Sequence, residues 1–257
     1  MAKETPETKK FATLLSKAQN AYKQEHPDAM DPMLQLVHAF LMWNATRDEA
    51  DAAIDAIVDD VIDLNELRIT YEDEIIALIG EDYPDPSQRV SRLKQSLNEV
   101  FFREHDWKMN SITDKPKKDQ RAYLDTLPGM TPYAAASVML ICFGGHALPV
   151  DDKLLALLHA NGALPDTIDS PGAAESFLLR QIKAGDALLA HYALQHWADG
   201  QDFPQAPAEK PAKAPAKSSK KTSTKKKTTT TKKTTKKKTT KKKTTKKKTT
   251  KKKSSAK

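Results

Sequence analysis

With a single cysteine, Cys142, the chain has no partner for an intramolecular disulfide. It also has too few thiolates for a four-cysteine zinc site or a cysteine-ligated iron–sulfur cluster. Cys142 lies in the run Val138-Met139-Leu140-Ile141-Cys142-Phe143, where a small buried hydrophobe is expected. Apolar runs are short, and none reaches the roughly 18 residues of a membrane span. The opening Met1-Ala2-Lys3-Glu4-Thr5-Pro6 lacks the apolar centre of a signal peptide. These absences predict a cytoplasmic chain with no membrane partner. Alternating apolar and polar runs bounded by hairpin turns are missing too, so no strand pair is expected.

The last fifth of the chain lacks large apolar side chains and holds a single acid, Glu209. From Gln205 onward it offers Pro and Ala, then Lys, Thr and Ser, and from Lys236 the unit Lys-Lys-Lys-Thr-Thr repeats three times before truncating. Such a stretch cannot bury enough apolar surface to offset the entropy of ordering, so residues 205–257 are expected to be a disordered tail and 1–204 the folded body. The tail dominates the charge. Residues 210–257 hold 23 lysines and no acid, so of the 42 Lys+Arg only 19 remain in residues 1–209, against all 34 Asp+Glu. The net +8 of the chain therefore joins an acidic part at −15 to a strongly cationic one.

What is abundant is helical periodicity. Residues 7–25 place Phe11, Leu14, Leu15, Ala18 and Tyr22 on one face, and Pro32 opens a helix through Leu34, Leu36, Val37, Phe40 and Leu41. Thr46 with Glu49 reads as a capping box ahead of Ala53, Ile54, Ile57, Val58 and Ile62. Asp85-Pro86 offers an N-cap and a first-turn proline ahead of Val90, Leu93, Leu97, Val100 and Phe101. Further helices are expected near 117–126, 132–143, 151–160, 171–183 and 186–198. The fold class is all-α.

The most informative stretch is 117–155. Leu127-Pro128-Gly129-Met130-Thr131-Pro132-Tyr133 separates two helices in a hairpin spanning 117–143. Pro-Gly ends the first helix, Gly129 supplies the backbone freedom of a tight turn, and Thr131 caps the second helix with Pro132 at its first position. The exposed N–H groups of such a hairpin and helix N-terminus suit an anion. An ordinary helical turn is the simpler alternative.

This block resembles the helix-hairpin-helix and Gly-Pro-Asp region of the endonuclease III (HhH-GPD) superfamily of DNA glycosylases. There the hairpin reads Leu-Pro-Gly-apolar-Gly, with a catalytic aspartate about 22 residues on. Here Gly129 precedes Asp151 by 22 residues, and Pro149-Val150-Asp151 matches the family's context. Upstream, Phe40-Leu41-Met42-Trp43-Asn44-Ala45-Thr46 resembles the family's apolar-Gln-Ala-Thr helix end, and Glu74 to Gly80 its next segment, so the likeness runs over about 30–200. Three departures stand out. Thr131 replaces the second hairpin glycine, Tyr133 occupies the position of the Schiff-base lysine of bifunctional members, and the cluster cysteines are absent.

The resemblance implies a duplex-DNA partner, a nucleoid-associated monomer, and base-excision chemistry without cofactor or metal. Asp151 would be the carboxylate that stabilises an oxocarbenium-like sugar and orients water, its structural alternative being an N-cap. Because Tyr133 cannot form an imine, a monofunctional N-glycosylase is implied; some mismatch-specific members carry tyrosine there. Leu127, Gly129, Met130 and Thr131 would meet phosphate, and Trp43 and Asn44 would enter the gap left by a flipped base, with a core role as Trp43's alternative. Tail lysines such as Lys236, Lys241 and Lys246 resemble those of linker-histone-like proteins and would hold DNA without reading sequence. Two other readings remain open: a catalytically inactive DNA-binding protein acting through its tail, and a lyase using Lys153. Glu104, His105 and His196 are expected to be surface or structural.

Overall fold

A computed structural model describes residues 5–23 and 27–202. The lysine-rich tail, with Lys236, Lys241 and Lys246, lies outside the described residues, as does the end of the helix expected over 7–25. Within the described residues the chain forms twelve α-helices and no strand. They are α1 (Pro6–Ala21), α2 (Pro32–Met42), α3 (Arg47–Asp60), α4 (Leu64–Ile69), α5 (Glu72–Ile79) and α6 (Pro86–Glu104), followed by α7 (Asn110–Thr113), α8 (Lys117–Asp125), α9 (Pro132–Ile141), α10 (Asp152–Ala160), α11 (Pro171–Leu178) and α12 (Ala187–Asp199). The described residues all fall within one compact unit. No helix among the described residues is long and apolar enough to cross a membrane.

Two helices form the centre. α2 is buried from Gln35 through Met42 and α9 from Tyr133 through Leu140, and the two pack on each other. A helix apolar on all sides belongs inside a core rather than at a surface. The consecutive Ala134, Ala135 and Ala136 carry little bulk, which lets neighbouring backbones approach α9 closely. Around this pair, α1 lies against α12, and α3 packs on α2 and α5. Leu36, Phe40, Leu93, Leu97 and Leu158 are fully buried, each such side chain worth about 1.5–3 kcal/mol of apolar transfer.

Local signals set several boundaries. Thr46 and Glu49 form the reciprocal capping box, with Thr46 N–H donating to Glu49 Oε2 at 2.8 Å and Glu49 N–H to Thr46 Oγ1 at 3.3 Å. Four expectations are corrected. Asp85 stands before α6, but its left-handed backbone (φ 47°) leaves its side chain without a cap bond. α1 stops at Ala21 because Tyr22 is already extended. α11 stops at Leu178, where the chain turns to bury Ile182. Cys142 is half-buried rather than buried; its thiol donates to the Met30 carbonyl at 3.6 Å and is pushed up to about 12 by burial.

The hairpin is held from two sides. Ser96 on α6 donates to the Pro128 carbonyl at 2.8 Å, and Arg103 donates to Thr126 Oγ1 at 2.9 Å and to its carbonyl at 3.0 Å. On the far side, buried Glu175 of α11 accepts from Arg121 of α8 at 3.2 Å and from Leu148 N–H at 3.4 Å. That second contact fixes the buried run Ala147, Leu148 and Val150, which delivers Asp151 to the start of α10.

Candidate active site

Asp151 is 4% exposed and caps α10, its Oδ1 accepting from Leu154 N–H at 2.8 Å. Its second oxygen, Oδ2, accepts from Asn44 N–H at 3.1 Å, a bond that crosses from the end of α2. Burial raises the carboxyl above its usual range. The two backbone donors oppose that shift and the charge of Asp152 adds to it. The side chain is therefore a cap and also a buried, oriented carboxyl.

Asn44 adopts a left-handed backbone (φ 57°), a conformation open to Asn at modest cost. Its side chain meets α10 at two points: Asp152 N–H donates to Asn44 Oδ1, and Asn44 Nδ2 donates to Asp152 Oδ2, both at 3.1 Å. Neighbouring Trp43 is half-buried against the core, with the guanidinium groups of Arg92 and Arg89 5.3 and 5.8 Å from its ring centre. Both residues named as gap-fillers thus have partners within the chain.

Periodicity alone gives Arg89 no role, yet it is among the most buried side chains of the protein. It donates to the carbonyls of Phe40, Leu41 and Pro84, closing the open C-terminal end of α2. Tyr83 adds a bond from its hydroxyl to Leu41 O at 2.8 Å. The signal was present: Arg89 shares the helical face of Leu93 and Leu97, four and eight residues on.

Tyr133 is 2% exposed, and its hydroxyl donates to Gln195 Oε1 at 3.3 Å. Burial, then the nearby Asp151 and Asp199 carboxylates, keep the phenol protonated far beyond its usual range. Gln195 passes the connection on to Asp199 at 2.8 Å, and Asp199 accepts from Arg47 N–H at 3.3 Å. A cavity of about 20 Å³, room for about one water, lies among Gln35, His38, Met42, Arg47, Tyr133 and His191. Beside it opens a groove of about 420 Å³ lined by Tyr22, Thr46, Arg47, Tyr192, His196 and Asp199. The sequence gives no hint of Gln195, Asp199 and Arg47 as members of one network, since α3 and α12 meet only in three dimensions. His196, exposed, stands edge-on to Tyr22, and Glu104 accepts from Ser111 N–H at 3.0 Å.

In the hairpin, Gly129 has φ 77°, and Thr131 caps α9 by accepting from Ala134 N–H at 3.0 Å. The side chains of Leu127 and Thr131 are buried, so of the four hairpin residues only Gly129 and Met130 are partly exposed. The N–H groups of Gly129 and Thr131 make no hydrogen bond within the described residues. Lys153 is half-buried, near enough to Glu49 and Asp199 to favour their ionised forms. Among the described residues no group of three or more His, Cys, Asp or Glu side chains is arranged to hold a metal ion.

No protein-family model and no curated protein matches the chain. Solved structures do. Endonuclease III in a non-covalent complex with DNA is similar at 15% identity and a TM-score of 0.60, over 78% of this chain and 90% of that one. A thermostable thymine-DNA glycosylase is similar at 19% identity and a TM-score of 0.56, with the same coverage of 78% and 90%. An H. pylori 3-methyladenine DNA glycosylase bound to 1,N6-ethenoadenine is similar at 12% identity and a TM-score of 0.54, over 76% and 95%. The chain has the all-helical, helix-hairpin-helix fold of the DNA glycosylases.

Proposed function

We propose that this chain is a monofunctional DNA N-glycosylase of base-excision repair, with Asp151 as its catalytic carboxylate. The observation that carries the reading is the state of Asp151, buried, held at both oxygens by backbone N–H groups and standing 22 residues after the hairpin glycine. As the bond between C1′ and the base breaks, the base departs with the electron pair and the sugar becomes cationic. A carboxylate fixed before the reaction stabilises that cation without reorganising; water then adds to C1′, and the proton it loses is taken up by the departed base. The open groove beside Tyr192 and Asp199 is the candidate receptacle for the extruded base.

Tyr133 offers no amine, and its hydroxyl is engaged with Gln195, so strand cleavage through an imine has no nucleophile at that position. The unbonded N–H group of the partly exposed Gly129 would meet a DNA phosphate. The 23 lysines of residues 210–257 would supply affinity independent of sequence. With about six phosphate contacts, binding would fall with salt at a log–log slope near −5, and deleting the tail would flatten it.

A second reading, a DNA-binding protein without catalysis, is favoured by the net −15 of residues 1–209. One experiment separates the two. Duplexes carrying uracil, T·G, oxidised or alkylated bases are incubated with the full-length protein and with Asp151→Asn, and strand breaks are scored before and after hot alkali. Breaks that need alkali and vanish in the variant are expected. Breaks without alkali that Lys153→Ala abolishes would indicate a lyase instead. Salt-sensitive binding with no base release would leave the binding protein.

A further inference from the structure

We propose that Asn44 and Asp152 act as a positioning pair, clasping the end of α2 to the start of α10 so that Asp151 is fixed for reaction, and that Asn44 is not a side chain that enters DNA. The inference rests on the glycosylase reading for its catalytic consequence and on geometry alone for the clasp. Three hydrogen bonds join residues 107 or 108 positions apart: Asn44 N–H to Asp151 Oδ2, Asp152 N–H to Asn44 Oδ1, and Asn44 Nδ2 to Asp152 Oδ2, each 3.1 Å. The donor and acceptor ends of the amide are both in use, so swinging it into a base stack would break two bonds.

The backbone agrees with this assignment. The left-handed conformation of Asn44 (φ 57°) is what aims its N–H at Asp151 while its side chain reaches Asp152. The segment leading to it is anchored, because Arg89 and Tyr83 bind the Phe40 and Leu41 carbonyls from within the core. Asp151 Oδ1 is tied to its own helix and Oδ2 to α2, so rotation of the carboxyl is restrained at both ends. Such outer restraint of a reacting group is a known source of rate, since a misplacement of about 1 Å can cost about a hundredfold.

Substitutions separate clasp, charge and DNA contact. Asn44→Gly keeps the positive φ and the backbone donor but deletes both side-chain bonds. Asp152→Asn keeps an acceptor for Asn44 Nδ2 and removes the charge. Asn44→Asp sets two carboxylates against each other, and combining it with Asp152→Asn exchanges donor and acceptor and remakes the clasp. Each full-length variant is assayed for kcat and KM on the duplex that supports base release. The Asp151 carboxyl is titrated by 13C NMR, which needs no activity.

In Asn44→Gly, kcat should fall at least about tenfold with KM within about twofold, and the Asp151 titration should move upward as its Asn44 donor loosens. Asn44→Asp should lose more, and the exchanged pair should recover most of it. Asn44→Gly that raises KM or weakens duplex binding, with kcat and the Asp151 titration unchanged, would overturn the clasp and make Asn44 a DNA contact. If the unmodified protein releases no base from any duplex, the glycosylase reading fails by itself. The titration still decides the clasp: a carboxyl indifferent to Asn44→Gly and Asn44→Asp refutes it.

Discussion

A Cβ added to Gly129 would stand 2.4 Å from the carbonyl oxygen of Arg92 and 2.9 Å from its Cα. The obstacle is the backbone of α6, which cannot swing aside as a side chain would. Gly129 is thus required twice over, by its φ of 77° and by close contact between the hairpin and α6. Gly129→Ala should cost about 3 kcal/mol, combining a strained backbone with overpacking. Urea unfolding would measure it. A loss below about 1 kcal/mol would mean that the hairpin moves away from α6 at little cost.

How far the fold is legible in the sequence depends on how far apart the partners lie. The capping box of Thr46 and Glu49, the cap at Thr131 and the first-turn prolines Pro32, Pro86 and Pro132 are settled within one turn, and these helices start where they are expected. The short helices α4, α5 and α7 give little periodic signal; tertiary packing of Leu67, Ile75 and Ile112 holds them in place. In the candidate site, Asp151 is visible through its spacing from Gly129, but its surroundings are not. The clasp to Asn44, the closure of α2 by Arg89 and the chain from Tyr133 to Gln195 and Asp199 join residues 48 or more positions apart, except for the last step within α12. Amide and guanidinium groups in a sequence carry no mark of the distant partners that will satisfy them.

The raised carboxyl of Asp151 gives the proposed reaction a pH signature. Base release requires the ionised form, so activity should fall as pH drops through a value above the ordinary aspartate range of about 4. Asp152→Asn removes the neighbouring like charge and should move that acid limb downward. Stability runs the other way. Between the ordinary and the raised value the folded state holds the proton that the unfolded state has lost, so stability contributed at this site falls as pH rises through that window. Base release followed against pH, with urea unfolding at the same pH values, tests both. An acid limb at the ordinary aspartate value would remove Asp151 as the titrating group.

His191 predicts acid sensitivity of the fold. Burial, reinforced by the nearby Arg47 and His38, pushes the imidazole down from 6.5 to about 3. Below pH 6.5 the unfolded chain takes up a proton that the folded chain refuses. The stability tied to neutral His191 is complete above that pH and is lost as pH falls toward about 3. Between pH 7 and 5 the loss is about 2 kcal/mol at about 1.4 kcal/mol per unit. His191→Gln should remove this part of the pH dependence, while His38, also shifted down by burial, retains its own. Equal pH dependence in the variant and the parent would show that the imidazole is hydrated when folded.

Arg89 sets the last expectation. Its guanidinium is buried, and its bonds at 2.9–3.1 Å reach the buried Leu41 carbonyl and the half-buried Pro84 carbonyl. Among the described residues its charge has no carboxylate partner in direct contact; the carbonyls and the faces of Tyr83 and Trp43, 4.9 and 5.8 Å away, offset its desolvation. Replacing it by Met fills similar volume but strips the Phe40 and Pro84 carbonyls of their side-chain donor and leaves Leu41 O with Tyr83 alone, at about 1–3 kcal/mol for each acceptor left unpaired before relaxation. Arg89→Met should therefore destabilise the fold by about 3 kcal/mol. Arg89→Lys should recover little, because one ammonium cannot reproduce the planar fork that spans Leu41 and Pro84. Since these bonds anchor the segment that carries Asn44, thermal unfolding should be paired with the Asp151 titration. A lysine variant as stable as the parent would show that charge alone, and not the geometry of the fork, closes the end of α2.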